Sequence, residues 1–149
     1  MGLVPKTSNS KYMTIKSIKD LDPKKSKSLG RVGLKMFFRL VQLWGLDENE
    51  QLNLLGLSSC TTLANWKSKA ISNEDILLPP EALERLSLIA GIQKSLELLF
   101  PKDHCVSYVR ARNTSFNGDS ILDVMLTGGI EELYRIRRYL DTLRQTHYL

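Results

Sequence analysis

The sequence predicts an all-α protein, and three observations support this prediction. Apolar residues recur at three- and four-residue steps over long stretches, which is the period of one helix face. No segment shows the sustained alternation of apolar and polar residues that is typical of a half-buried strand. Capping residues, glycines and prolines bracket the apolar stretches, as expected at helix ends. The 149 residues, 42% apolar and 25% charged, allow one globular domain or two small ones.

Positive charge is concentrated towards the N-terminus. The net charge is +5, because residues 1–79 carry 12 Lys or Arg against 7 Asp or Glu, whereas residues 80–149 carry 9 of each. Residues 1–21 show no steady period, so we expect a flexible basic arm with a short ordered piece around residues 13–18. The asymmetry suggests a polyanion partner, and a solvated lysine-rich arm without a partner is the alternative.

The first convincing helix opens at Asp22-Pro23, because Asp caps helices and Pro suits their first turn. An apolar face then recurs at helical spacing until Gly45, which ends the helix. Gly30 and Gly33 weaken the first half. We therefore expect the well-formed helix to start nearer Arg31.

Two short helices are predicted next. Asp47 and Glu50 match a capping box at the start of the first, and Gly56 stops it. Ser58 or Ser59 can cap the second. The pair is therefore joined by a glycine-containing turn.

Residues 48–69 fit a DNA-reading helix-turn-helix, in which a second helix presents short polar side chains to base edges. Asn and Thr suit adenine edges and the thymine methyl group, and Lys and Ser suit phosphates. The predicted DNA-binding residues are Ser59, Thr61, Thr62, Asn65, Lys67 and Lys69. The spacing is one residue longer than usual and the second helix lacks Arg, so a helical hairpin with a solvated polar face is the alternative.

The C-terminal half begins after a loop at residues 72–75. Pro79-Pro80 marks a boundary and starts a long helix, which Pro101 stops. A following helix is predicted over about residues 103–111. The chain therefore divides near residues 70–80.

A turn at residues 112–118 precedes a short helix that we expect to run through Met125. Ser120 can cap it, with Asp123 completing an acidic variant of the capping box. Gly128-Gly129 breaks this helix. A last, amphipathic helix runs almost to the C-terminus.

The sequence indicates no catalytic residue, cofactor or metal. Asp103, His104 and Cys105 are adjacent, and adjacent residues on a helix point apart. Cys60 and Cys105 belong to no metal-ligand pattern and are interpreted as reduced thiols of a cytoplasmic protein. Gly128-Gly129 lacks the spacing and the preceding strand of a phosphate loop. No run approaches the roughly 18 to 20 apolar residues of a membrane span.

Four stretches of the C-terminal half occur in a characteristic order. They are residues 78–87, 96–100, 112–123 and 127–129, followed by the amphipathic helix. Together, residues 78–145 resemble the toxin-binding domain of the Xre/MbcA/ParS antitoxin family. The region before them resembles the Xre-type helix-turn-helix of that family. The family's usual Trp-Leu is Tyr108-Val109 here, and its proline is Ile121.

After the arm at residues 1–21, the resemblance implies a DNA-binding domain at 22–77 and a helical toxin-binding domain at 78–149. It implies a non-enzymatic antitoxin that neutralises a RES-domain toxin, an NAD-consuming enzyme, by covering its active site. It also implies a homodimer within a hetero-oligomeric complex, which represses its own operon by binding operator DNA. The alternatives are a stand-alone transcriptional regulator whose C-terminal half dimerises, and a helical adaptor that does not bind DNA.

Toxin contact is predicted for the last helix and the tail, because Arg and Tyr are favoured interface anchors. The predicted toxin-binding residues are Arg135, Arg138, Tyr139, Arg144 and Tyr148. The alternative for the first two is pairing with nearby carboxylates, Glu131, Glu132 or Asp141, on a solvated face. In the preceding turn we expect Gly118 to take a positive φ and Asn117 to tie the turn.

Overall fold

A computed structural model describes residues 15–147, and within this range the chain forms eight α-helices and no strand. The predicted all-α class is therefore confirmed. Every one of these helices contributes residues to one continuous apolar core. Among the described helices, none is both long enough and apolar enough to cross a membrane.

The order of the helices follows the predicted pattern. The first four are α1 (Ile15–Lys19), α2 (Pro23–Trp44), α3 (Glu48–Leu55) and α4 (Cys60–Ile71). The last four are α5 (Pro80–Leu99), α6 (Lys102–Arg110), α7 (Ile121–Leu126) and α8 (Ile130–His147), with a 3-10 turn at Thr114–Phe116 before α7. The ends of α6 and α7 lie one residue from their predicted positions.

The capping predictions are confirmed. Asp47 and Glu50 form a reciprocal box at the start of α3, with N–H to carboxylate distances of 2.8 and 2.9 Å. Ser120 and Asp123 form the second box at the start of α7, with distances of 2.9 and 3.0 Å. Ser59 is the cap of α4. Local sequence therefore sets where these helices begin.

Helix α2 opens at Asp22-Pro23, as predicted, and is well formed from there. It is helical from Pro23, with Asp22 as its cap, so the expectation that its well-formed part starts nearer Arg31 was wrong. Gly30 is buried, and a Cβ added there would overlap the carbonyl oxygen of Ile76. The glycine thus allows the segment after α4 to lie against the backbone of α2.

The expected ordered piece of the N-terminal arm is present as α1. Ile18 is 3% exposed and belongs to the core, whereas Lys16 and Lys19 face solvent. Residues 1–14 lie outside the described residues. Flexibility of the arm over residues 1–21 stays a prediction.

Helix α5 occupies the centre of the fold. It packs between α2 and α8 and also contacts α1, α3 and α6. Leu88, Ile89, Ile92 and Leu96 are completely buried. Because α5 contacts helices from both halves of the chain, the predicted division at residues 77 and 78 stays a prediction.

Arg110 joins α6 to the ends of two earlier helices. Its guanidinium donates to the carbonyl oxygens of Trp44 (3.0 Å) and Gly45 (2.8 Å) and to the Glu50 carboxylate (3.2 Å). The last carbonyls of a helix carry partial negative charge, which a guanidinium stabilises. One side chain therefore fixes α6 against the end of α2 and the start of α3.

Two glycines of α2 provide a matched test of close packing. Gly30→Ala should lower the free energy of unfolding by about 1–3 kcal/mol, because a backbone oxygen cannot yield easily to the new methyl group. At Gly33 a Cβ would meet the Cδ1 atom of Leu86 at 3.1 Å, the end of a flexible side chain. Gly33→Ala should therefore stay within about 1 kcal/mol of wild type, since alanine favours the helix. Urea unfolding of both variants measures the difference, and equal effects would contradict this account of Gly30.

Candidate DNA- and protein-binding surfaces

Helices α3 and α4 form the predicted helix-turn-helix. Gly56 ends α3 with φ +70°. The Ser59 hydroxyl accepts the backbone N–H of Thr62 at 3.3 Å and so caps α4. Leu63 and Trp66 bury the inner face of α4, at 5% and 6% exposure. The outer face of α4 is thereby left to solvent.

Arg85 of α5 fixes the turn between these helices. Its guanidinium donates to the carbonyl oxygen of Leu54 at 3.4 Å. A Cβ at Gly56 would lie 2.7 Å from Arg85 Nε and would displace that flexible side chain, and the positive φ by itself favours glycine. Sequence reasoning assigned Gly56 correctly but missed Arg85, because no local pattern links the two positions.

The six predicted DNA-binding residues differ in accessibility. Three have exposed side chains, Thr61, Asn65 and Lys67, and three are half-buried, Ser59, Thr62 and Lys69. The Ser59 hydroxyl is used by the cap, and Lys69 pairs with Glu74 at 3.3 Å. Exposed Ser68, which was not predicted, shares the outward ridge of Thr61 and Asn65 at helical spacing.

Negative charge lies beside the N-terminal end of α4. Cys60 Sγ is 3.4 Å from Glu48 Oε1, and both residues are exposed. The hydrogen bond to Glu48 and the charge of that carboxylate raise the pKa of the Cys60 thiol. A protonated thiol is a weak nucleophile. Helix α3 contributes two acidic residues and no basic one to this end of the pair.

Asn113 organises the turn before α7. Its side-chain oxygen accepts the backbone N–H of Ser115 at 2.9 Å, and its carbonyl accepts that of Gly118 at 3.0 Å. Gly118 has φ +91°, which confirms the predicted positive value, and Asn117 has φ +57°. The side-chain hydrogen bond that closes this turn thus comes from Asn113.

Tyr139 connects this turn to α8. Its hydroxyl lies 3.4 Å from the Tyr108 hydroxyl, from Asn113 Nδ2 and from the Ser115 hydroxyl. Its ring packs edge-on against Phe116, with 4.8 Å between the centroids. Burial raises the pKa of Tyr108 to about 12. Tyr139, predicted to bind toxin, is half-buried and holds the turn against the helix.

Arg135 and Arg138 lie on the solvent side of α8 and have different environments. Arg135 donates to Glu132 at 3.1 Å, and its guanidinium lies 5.0 Å from the centre of the Phe116 ring. Arg138 is exposed, and its guanidinium forms no ion pair or hydrogen bond with the described residues. The local pairing that was the alternative is thus present for Arg135, whereas Arg138 is free to meet a partner.

Arg144 points towards α5. Its Nη1 atom lies 3.3 Å from the Ser95 hydroxyl and 3.5 Å from Asp141 Oδ1. This geometry ties the C-terminal part of α8 to the central helix. Tyr148, the remaining predicted toxin-binding residue, lies outside the described residues.

A buried arginine that sequence reasoning missed lies on the same interface. Arg137 is 7% exposed, and its Nε is 3.6 Å from Asp141 Oδ2. A Cβ at Gly91 of α5 would overlap its guanidinium. Gly91, a glycine in the middle of a long helix, indicated a close approach in the sequence, but it did not indicate that Arg137 is the residue that packs there.

The described residues contain no group of three or more His, Cys, Asp or Glu that could hold a metal ion. Cys105 is buried, with Sγ 3.3 Å from the Leu96 carbonyl oxygen, and burial raises the pKa of its thiol. His104 beside it is exposed.

Two comparisons match this chain to known sequences. Residues 25–91 match the antitoxin Xre-like helix-turn-helix domain. The chain is also 38% identical over 112 residues to the uncharacterized protein y4oB of Sinorhizobium fredii, an alignment that covers 74% of this chain and 83% of that protein. The chain belongs to the same family as y4oB and carries an antitoxin Xre-like helix-turn-helix domain. No solved structure matches it.

The Xre-like match confirms the helix-turn-helix prediction and indicates an antitoxin or a helix-turn-helix regulator. It runs from α2 into the middle of α5 and so includes Arg85, which holds the turn. The match ends before α6 to α8. Toxin binding by those helices remains a prediction.

Asn113 offers a test of the turn that precedes α7. Asn113→Ala should lower the free energy of unfolding by about 1–2 kcal/mol, because it leaves the Ser115 N–H without its acceptor and removes the amide donor from the Tyr108 and Tyr139 hydroxyls. Thr114→Ala is the matched control, since this exposed neighbour should change stability by less than about 0.5 kcal/mol. Urea unfolding measures both, and an effect as small for Asn113→Ala as for the control would exclude this role.

Tyr108 should make stability depend on alkaline pH. The pKa of the Tyr108 phenol is about 10 in the unfolded chain and about 12 in the native state, which disfavours the ionised form. As the pH rises from 10 towards about 12, the unfolded chain therefore loses this proton before the native state does. The contribution is complete below pH 10 and declines through this window. Denaturant titrations at several pH values should therefore show wild type losing stability relative to Tyr108→Phe above pH 10. A difference independent of pH would contradict the prediction.

Proposed function

We propose that this protein is the antitoxin of a type II toxin–antitoxin system that neutralises a RES-type, NAD-consuming toxin by covering its active site. The observation that carries the proposal is the combination of an Xre-like helix-turn-helix domain with a following helix, α8, that presents Arg138 free to solvent. The same protein would repress its own operon through the Xre-like domain. It would act as a homodimer within a hetero-oligomeric complex.

The toxin-binding surface would be the solvent side of α8. A guanidinium matches carboxylate or phosphate groups by two parallel hydrogen bonds, which suits a pocket that binds a dinucleotide. Arg138 has no pairing to break among the described residues, and Arg135 can exchange its half-buried Glu132 partner because ion pairs at the surface contribute little. Tyr139 and Arg144 would act by fixing α8 to the turn and to α5. Tyr148 would extend this surface at the chain end.

Operator binding would use the outward ridge of α4. Thr61 and Asn65 are exposed and can reach base edges, and a dimer would place two such helices in successive major grooves. Lys67 would contact phosphate from the exposed flank. Ser59 and Thr62 would serve mainly to set the start of the helix.

Charge reversal on α8 tests the toxin part of this proposal. Arg135→Glu combined with Arg138→Glu should weaken the complex with a co-expressed RES toxin by at least tenfold, because truncation of a central arginine anchor typically costs more than about 1.4 kcal/mol. Lys94→Glu, on an exposed part of α5, is the control and should leave binding unchanged. Growth, cellular NAD and co-purification of the toxin are the measurements.

Full neutralisation by the doubly reversed variant would exclude α8 as the contact surface. Equal thermal unfolding of variant and wild type establishes that any loss is not caused by misfolding. A protein that binds its operator but retains no RES toxin would instead be a stand-alone regulator.

A further inference from the structure

The basic residues of the Xre-like domain are concentrated on α2. This helix carries six Lys or Arg and no acidic residue. Lys27, Arg31 and Lys35 follow one another at four-residue steps, so they form one ridge along its surface. Lys27 and Lys35 are exposed, and Arg31 is half-buried.

This ridge adjoins the C-terminal end of α4 through residues 73–76. Lys35 Nζ donates to Asn73 Oδ1 at 3.0 Å, and Arg31 Nε pairs with Asp75 at 2.8 Å. In the same segment, Glu74 pairs with Lys69 of α4 at 3.3 Å. We define the basic patch as Lys27, Arg31, Lys35 and Lys69.

The opposite end of α4 has the reverse charge. Asp47 and Glu48 are exposed at the start of α3, and Glu48 contacts Cys60 at the first residue of α4. Helix-turn-helix proteins usually place the N-terminal residues of the second helix deepest in the major groove. Here that end would bring a carboxylate towards phosphates, which repel it.

We propose that duplex DNA is held from the other end, with the basic patch on the phosphates and α2 across the groove. This inference rests on the operator-binding part of the proposed function, and it replaces an approach by the N-terminal end of α4, in which Thr61 would reach base edges, with an approach by the C-terminal end. Lys27 and Lys35 are eight residues apart, or about 12 Å along the helix axis, which is about the width of the major groove. Each lysine can therefore reach a different edge of one groove. Asn65 and Lys69, in the second half of α4, would then lie nearer the DNA than Thr61.

The carboxylates that pair with the basic patch weaken its contact with DNA phosphates. Asp75 and Glu74 are about half exposed, at 52% each, and their arginine and lysine partners are also accessible. Such pairs are weak and can be replaced by phosphate. Asp75→Asn should therefore strengthen DNA binding, because Arg31 can then bind phosphate without first giving up its ion pair with Asp75.

Fluorescence anisotropy with labelled duplex from the protein's own upstream region tests the proposal. Lys27→Gln combined with Lys35→Gln should reduce the slope of log K against log salt concentration by about 1.8 and weaken binding by about tenfold for each lysine at 0.1 M salt. Lys94→Gln combined with Lys102→Gln removes the same charge from exposed sites outside the patch and should change neither quantity. Glu48→Gln should leave affinity within about twofold, because that end faces away from the phosphates.

An unchanged slope in the patch variant, or a large gain in affinity from Glu48→Gln, would overturn the proposed orientation while leaving operator binding intact. Failure of the wild type to bind any duplex would reject both the orientation and the repressor part of the proposed function. Loss of toxin capture in the patch variant, without an effect on DNA, would assign the patch to a protein partner and also overturn the inference. Matching thermal unfolding of all variants excludes misfolding as the cause.

Discussion

Helix α5 is enclosed by neighbours along most of its length, and the positions of the other helices follow from this. A helix that is apolar on several sides must be covered on several sides, because each exposed apolar face would remain in contact with water. Helix α2 covers one side and α8 another, while α1, α3 and α6 fill the remaining space. Removing either large neighbour would expose apolar surface of a helix in which residues such as Ile89 and Ile92 are completely buried. The Xre-like region and the C-terminal helices therefore share one core.

The same central helix positions both candidate surfaces. Near its start, Arg85 lies against Gly56 and donates to the Leu54 carbonyl oxygen, and so holds the turn between α3 and α4. Further along α5, the absence of a side chain at Gly91 allows the Arg137 guanidinium to pack there, and the Ser95 hydroxyl accepts from Arg144. Together these contacts position α8 against α5. These contacts use buried or half-buried polar groups, whose loss leaves unpaired partners and is costly. The proposed DNA-reading helix and the proposed toxin-binding helix are thus both oriented by contacts with a single element.

The cations of this molecule divide into those that hold the fold and those that remain at the surface. Arg85, Arg110 and Arg144 donate to carbonyl or hydroxyl oxygens of other helices, which suits a planar group with several fixed donors. Lys27 and Lys35 remain at the surface, where a flexible, strongly hydrated ammonium group can follow phosphates. A net charge of +5 says nothing about this division. Only the hydrogen bonds seen in the structure distinguish the cations that hold the fold from those that are available to a partner.

The sequence by itself determined the helical class, the caps at Asp22, Asp47 and Ser120, a cap at Ser58 or Ser59, and the breaks at glycines, because these depend on neighbours within one turn. The helix-turn-helix was also readable, since its apolar spacing and Gly56 are local. The tertiary structure decided which neighbouring groups leave no room for a side chain at Gly30 and Gly91. It also showed that the side chains of Tyr139 and Arg144 contact other parts of the same chain, whereas the Arg138 guanidinium is exposed. It also placed positive charge at one end of α4 and negative charge at the other. These properties depend on residues that are distant in the chain, and the physical reason is that close approach and charge pairing are set by packing rather than by sequence spacing.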